Sequence, residues 1–209
     1  MAFFIEKMTA DEIREGLKQT KTVIVPVGVV EQHGFHLPLS TDIINATAPI
    51  EFTKDRLNAF VAPCVNYSYS GGELSGTINV SAHVFALYVA EICQELANMG
   101  FKNFVIIQGH GGSENRSALK DALGVMLQRN EKMRDATVCE FCSDEFSKTA
   151  EDYILNRYLP EHDFHAGVVE TSMILYWKGD LVHMENMELD AEPIVRGMRT
   201  DPDWYEKNE

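Results

Sequence analysis

Short unbroken apolar runs alternate along this chain with longer stretches in which apolar residues return every three or four positions. The runs at 23–27, 60–65, 104–107 and 136–142 are rich in β-branched and aromatic side chains and read as strands, the first of them buried and parallel. The periodic stretches read as helices. Thr9 and Glu12 have the spacing of a capping box, with Met8 and Ile13 as its hydrophobic staple. They predict a helix to about Lys18 with Ile13 and Leu17 on its apolar face. A second helix is expected from Thr41 to about Leu57, kinked or interrupted at Pro49. Ser81 stands where a cap is wanted for a third, whose apolar face is read as Val84, Tyr88, Ile92, Leu96 and Met99 and whose end is Gly100. Later helical patterns carry Leu119, Leu123 and Met126, occupy 145–158, and run from near Gly167 to Trp177, where Gly179 ends them.

Strands alternating with helices predict an α/β protein, a three-layer α/β/α sandwich around a mostly parallel sheet. No internal repeat is visible, and 209 residues suit a single domain over 1–209. After Gly179 the periodicity fades and acidic residues gather around Pro193 and Pro202, so 180–209 reads as a loop or acidic tail that another subunit could order. The formal net charge of −14 argues against a nucleic-acid surface and against anionic membranes. No run reaches the length of a membrane span and the first residues lack a signal-peptide pattern, so a cytoplasmic protein is expected. Cys64, Cys93, Cys139 and Cys142 lie in apolar or strand-like contexts and read as reduced core thiols. Cys139 and Cys142 make a lone C-x-x-C, but residues three apart on a strand face opposite ways, so no zinc site is expected there.

The chemistry gathers where strands end. Beyond the run 23–27 come Glu31, His33, His36 and Asp42, in the loop position where open α/β sheets bind ligands. Glu31 and His33 are two apart and share a face if extended, and Asp42 follows the rigid Leu37-Pro38 turn at the start of a helix. Carboxylate and imidazole donors of this mix suit Zn²⁺, Mn²⁺ or Fe²⁺ better than Ca²⁺. His110 stands between glycines at the next strand-to-helix turn, so two such loops can converge on one site. A third block places His165 five residues before Glu170, which would lie in a first helical turn, where a carboxylate is favoured. The glycine-rich segment 67–77 is loop chemistry, with Tyr67, Tyr69, Ser70, Glu73 and Ser75 as polar groups near a possible mouth.

Taken together these blocks resemble the creatininase (creatinine amidohydrolase) family. The likeness is carried by Pro26-Val27-Gly28, Glu31-Gln32-His33-Gly34, His36-Leu37-Pro38-Leu39, Thr41-Asp42, Gly76-Thr77, Gly109-His110-Gly111-Gly112, His165-Ala166-Gly167 and Glu170-Thr171-Ser172. The resemblance implies two divalent metal ions, zinc first among them, a small-molecule substrate and a homo-oligomer, often hexameric. It also implies that Asp42 bridges both ions, that Glu31 and His110 complete one site, that His33 serves the other, and that His165 is the substrate-side histidine. Members that act on creatinine carry a Tyr-Glu pair after the metal histidine and an aromatic gate upstream of the later one. Gly111-Gly112 and Glu161-His162 stand here instead, which makes creatinine itself doubtful and leaves Glu114 as a substitute carboxylate to consider.

Ions sharing a carboxylate would activate water for attack on a carbonyl. His165 and Glu170 are the expected proton carriers, and the Gly111 and Gly112 N–H groups the expected oxyanion donors. The substrate is read as a small cyclic amide or related compound, with a small peptide bond or a cyclic ketone such as an oxidised inositol as alternatives. From another class stands a non-catalytic α/β binding module that holds its metal structurally, although such closed zinc sites commonly use cysteine and none lies in this cluster.

Overall fold

A computed structural model of the chain describes residues 1–72, 75–142 and 165–187. The helix expected at 145–158, the positions Glu73, Glu161 and His162, and the tail from 188 onward lie outside the described residues. Five strands form one sheet: β1 (Phe3–Phe4), β2 (Thr22–Val27), β3 (Phe60–Val61), β4 (Asn103–Gln108) and β5 (Thr137–Cys142), in the spatial order β1-β3-β2-β4-β5. Every pairing is parallel. β2 and β4 lie at the centre, in register from Thr22↔Asn103 to Val27↔Gln108, so the loops after them leave the same sheet edge side by side.

Side chains alternate across the sheet as the pleat requires. Val23, Val25, Val27, Phe104 and Ile106 face one layer, with α3 (Ala82–Met99) and α4 (Ser113–Arg129). Ile24, Val105 and Ile107 face the other, where Ile50 of α2 (Thr41–Thr53) packs. α5 (Val168–Lys178) then packs on α2 through Ile174, Ile44 and Leu37. The result is the expected α/β/α sandwich. Among the described residues no helix is long and apolar enough to cross a membrane.

Several local expectations hold. The Thr9–Glu12 capping box opens α1 (Ala10–Gly16), and Gly100 closes α3 at φ 114°, donating its N–H to the carbonyls of Leu96 and Ala97. Others are corrected. The helix expected from Thr41 to about Leu57 runs through Pro49 without a break and ends at Thr53. The run 60–65 is a strand only at Phe60–Val61, because Pro63 removes a donor and the chain rejoins the sheet as a single bridge, Val65↔Val27. On α3 the buried face is Phe85, Ala86, Val89, Ala90, Cys93, Leu96 and Ala97, whereas Val84, Tyr88 and Met99 are exposed. Residues 84–90 are apolar throughout, so spacing cannot choose a face. The sheet selects the one whose alanines permit close approach. Ser81 occupies the N-cap position of α3 without a side-chain capping bond. All four cysteines are free, but Cys139 is exposed on β5 and is no core thiol. After α5 the chain first packs back on its own fold: Val182 lies on the cluster of Leu37, Ile44 and Ile174, and His183 N–H donates to His36 O at 2.8 Å.

Candidate metal centre

The loop after β2 brings its donors together by turning back on itself. Glu31 N–H donates to Leu39 O at 3.0 Å, and Thr41 bonds Pro38 O through both its N–H and its hydroxyl. That turn starts α2 with Asp42 in its first turn, buried beneath the loop. The loop after β4 passes directly against α2. A Cβ on Gly109 would stand 1.8 Å from Asp42 O, so only glycine allows this approach. A Cβ on Gly112 would likewise strike the His110 ring at 2.3 Å. The glycines flanking His110 therefore admit the α2 backbone on one side and the imidazole itself on the other.

Six side chains result in one cluster. His110 Nδ1 lies 3.1 Å from Glu31 Oε2 and 3.2 Å from Asp42 Oδ2. His33 Nε2 lies 3.1 Å from Asp42 Oδ1 and 3.7 Å from Glu170 Oε1. Three overlapping groups have donor atoms within 4.8 Å of one another: Glu31, Asp42 and His110; His33, Asp42 and Glu170; and Glu31, His33 and His165. Glu31 Oε2, His33 Nε2 and both carboxylate oxygens of Asp42 are buried yet close no well-aligned hydrogen bond. They and His110 Nδ1 face one another at 3.1 to 3.2 Å without the alignment a hydrogen bond needs. Orphaned buried acceptors of this kind are rare in folded proteins unless something else satisfies them.

Electrostatics fit that picture. Burial disfavours the charged form of His110, but contact with Asp42 and Glu31 outweighs it and lifts the imidazole to about 10. Burial also opposes the charge on His33, and Asp42 and Glu170 still hold it well above the ordinary histidine range. For Asp42 burial favours the neutral acid, yet the two imidazoles keep its carboxyl far below the usual range. Positive charge is thus favoured in a buried space lined by carboxylates. His36 differs: burial, then His33, pushes it down.

The surrounding bonds fix orientations. His33 Nδ1 lies 3.1 Å from Glu31 O, and a carbonyl can only accept, so Nδ1 carries the hydrogen and Nε2 faces the cluster. His165 Nε2 donates to Gln32 O at 2.6 Å by the same logic, leaving its Nδ1 as the acceptor; its ring lies 4.2 Å from that of His33. Ser70 Oγ donates to Glu31 Oε1 at 2.7 Å, an anchor that no spacing in the sequence signals, because it comes from a loop 39 residues away. Glu170 Oε2 accepts the Ala166 N–H at 2.5 Å, in a turn where Ala166 takes φ 58°.

The structure thus gathers Glu31, His33, Asp42 and His110, and it also places Glu170 among the donors rather than apart from them. The reason is topological: α5 lies on α2, so the first turns of the two helices meet over His33. Glu114 falls outside the three groups, near Ser113 at the start of α4. A groove of about 470 Å³ along α2, lined by Phe4, Ile50, Phe52, Val61 and Trp177, contains none of the six residues.

Known proteins share this arrangement of elements. The model of a family described as creatininase, creatinine amidohydrolase, matches residues 6–208. A creatinine amidohydrolase of Pseudomonas putida is 27% identical over 83% of this chain and 70% of its own length. A mycofactocin precursor peptide peptidase of Mycobacterium tuberculosis is 31% identical over 74% of this chain, which spans 58% of that protein. A 3-dehydro-scyllo-inosose hydrolase of Thermotoga maritima is 31% identical over 52% of this chain and 36% of its own length. The crystal structure of a creatininase superposes with a TM-score of 0.78 at 28% identity, covering 88% of this chain and 75% of that one. Solved creatininase structures include a Zn–Zn form and a manganese form, at TM-scores of 0.77 for both.

Proposed function

The chain belongs to the creatininase family, and on that premise we propose that it is a hydrolase which uses two divalent metal ions to cleave a C–N bond in a small cyclic amide or related compound. One observation carries the reading: two three-donor groups, Glu31–Asp42–His110 and His33–Asp42–Glu170, share Asp42 and crowd buried carboxylate oxygens and imidazole nitrogens together without well-aligned hydrogen bonds between them. The donor set fits two ions of the zinc or manganese kind, with Fe²⁺ also compatible, since it joins imidazole nitrogen to carboxylate oxygen and contains no cysteine. Bound there, such ions would polarise a carbonyl and lower the pKa of water towards neutrality.

The protein's own residues supply the rest. Asp42 offers one carboxylate oxygen to each group. The Glu31 carbonyl orients His33, and the Ser70 hydroxyl holds Glu31. Glu170 takes a ligand's place, so the proton-carrying role passes to His165 alone. With Nε2 fixed on Gln32 O, His165 Nδ1 can accept a proton and return it to the leaving nitrogen. The N–H groups of Gly111 and Gly112, before α4, are suited to a developing oxyanion. We read 1–209 as one such domain with 180–209 as its acidic tail, and expect it to form a closed homo-oligomer, a hexamer.

A second reading is hydrolytic carbon–carbon opening of an oxidised inositol. The hydroxyl-bearing loop at Tyr69, Ser70 and Ser75 favours it, and the Thermotoga relative acts on such a compound by name. Metal analysis and turnover on a panel of cyclic amides, formamides, short peptides and keto-inositols test both. The expected result is two ions per chain, activity lost on chelation and restored by Zn²⁺ or Mn²⁺. Full turnover by chelator-treated protein would overturn the metal-dependent reading.

A further inference from the structure

His36 lies three residues beyond His33 yet belongs to none of the three donor groups. Its side chain is buried, and its Nε2 sits 2.8 Å from the hydroxyl of Thr171, the residue next to Glu170. That hydroxyl also reaches Ala166 O at 3.5 Å. With its hydrogen turned to Ala166 O, the hydroxyl accepts from His36 Nε2–H, the arrangement that joins all three groups. Ala166 N–H in turn donates to Glu170 Oε2. The chain of bonds therefore runs from His36 through Thr171 to the Ala166 turn and ends on the carboxylate of Glu170.

The imidazole is held from behind as well. Gly34 takes φ 67°, and a Cβ there would stand 2.9 Å from His36 Nδ1. The carbonyl of His36 accepts from His183 N–H. His36 thus ties together the loop that bears His33 and the turn that bears His165 through its ring, and the segment that follows α5 through its carbonyl. With Oε2 engaged by Ala166, Glu170 has Oε1 left to face His33.

We propose that His36 is a positioning residue which, through Thr171, sets Glu170 as the third ligand of the metal site shared with His33 and Asp42. The inference rests on the dinuclear reading above. It differs from general packing in being one-sided: no bond of His36 or Thr171 reaches Glu31 or His110, so the other metal group keeps its geometry when the link is cut.

The test is titration of the full-length, metal-stripped chain with Co²⁺, followed by its visible absorption and by bound-metal analysis. Wild type takes up two ions. His36→Ala and Thr171→Val each keep one ion at wild-type affinity and bind the other about 10- to 100-fold more weakly, as loss of a ligand's hydrogen-bonded support does elsewhere. His36→Gln, which retains an N–H near the position of Nε2, recovers most of that affinity. The double variant is no worse than either single one, because both cut the same link. Equal weakening at both sites, or none at either, overturns the proposal. If wild type itself binds fewer than two ions, the dinuclear reading fails and the proposal with it. Should His36→Ala not fold, Thr171→Val and the thermal melting of each variant carry the test.

Discussion

The two halves of the donor cluster are built from different material. Glu31, Asp42 and His110 leave the central strands β2 and β4 or the first turn of α2, and their side chains are at most 10% exposed. Every approach there is steric and close, with Gly28 against Ile43 and Gly109 against Asp42. Glu170 stands on α5 with its side chain 24% exposed, held by a turn in which a non-glycine residue takes a left-handed conformation. One half sits on the ends of the central strands, and the other is carried by a helix that packs on α2 through a small apolar cluster and a polar turn. A hydrolase needs both: a fixed place for ions, and an open side where a substrate can enter and a proton carrier can move.

The change with the largest expected effect removes what the halves share. Asp42→Ala should strip both ions, lowering affinity by more than about 100-fold, beyond the loss seen for supporting residues. Retention of both ions after dialysis against a weak chelator would show that Asp42 is not the shared ligand. Next comes Gly109→Ala, whose methyl group must displace the first turn of α2. A loss of about 3 kcal/mol in stability is expected, with lower metal content, read by denaturant unfolding and metal analysis. An unchanged midpoint would mean that the buried half tolerates movement after all.

His165→Ala should keep both ions and lose about 100- to 10,000-fold in turnover, the usual contribution of a positioned acid–base group. Metal loss with retained turnover would reverse its role. The smallest effect is expected at Ala166→Gly. Relief of the left-handed φ, about 1 kcal/mol, is offset by a similar gain in unfolded-chain entropy. The melting midpoint should therefore stay nearly unchanged. A glycine–alanine exchange would thus be severe on the buried side and neutral on the open side, and a large shift at Ala166 would erase the contrast.

The sequence alone determined the layers. Apolar runs of strand length, a capping box at Thr9 and Glu12, and the glycine at 100 are local signals whose physics acts within a few residues, so periodicity and turn chemistry expose them. Glu31, His33, Asp42 and His110 could be singled out as candidates too, because three lie in polar turns after strand ends and Asp42 starts the helix that follows; the structure brings them together. Only the tertiary structure decided what depends on packing between distant elements. The inward face of α3 was set by the sheet, which chose among residues apolar on every side. The place of Glu170 was set by α5 lying on α2, and the link from His36 to Thr171 spans 135 residues. Spacing along a chain fixes which residues share a turn, but a metal ligand's partner is whichever group the fold carries to within about 3 Å, and that distance exists only once the layers have closed.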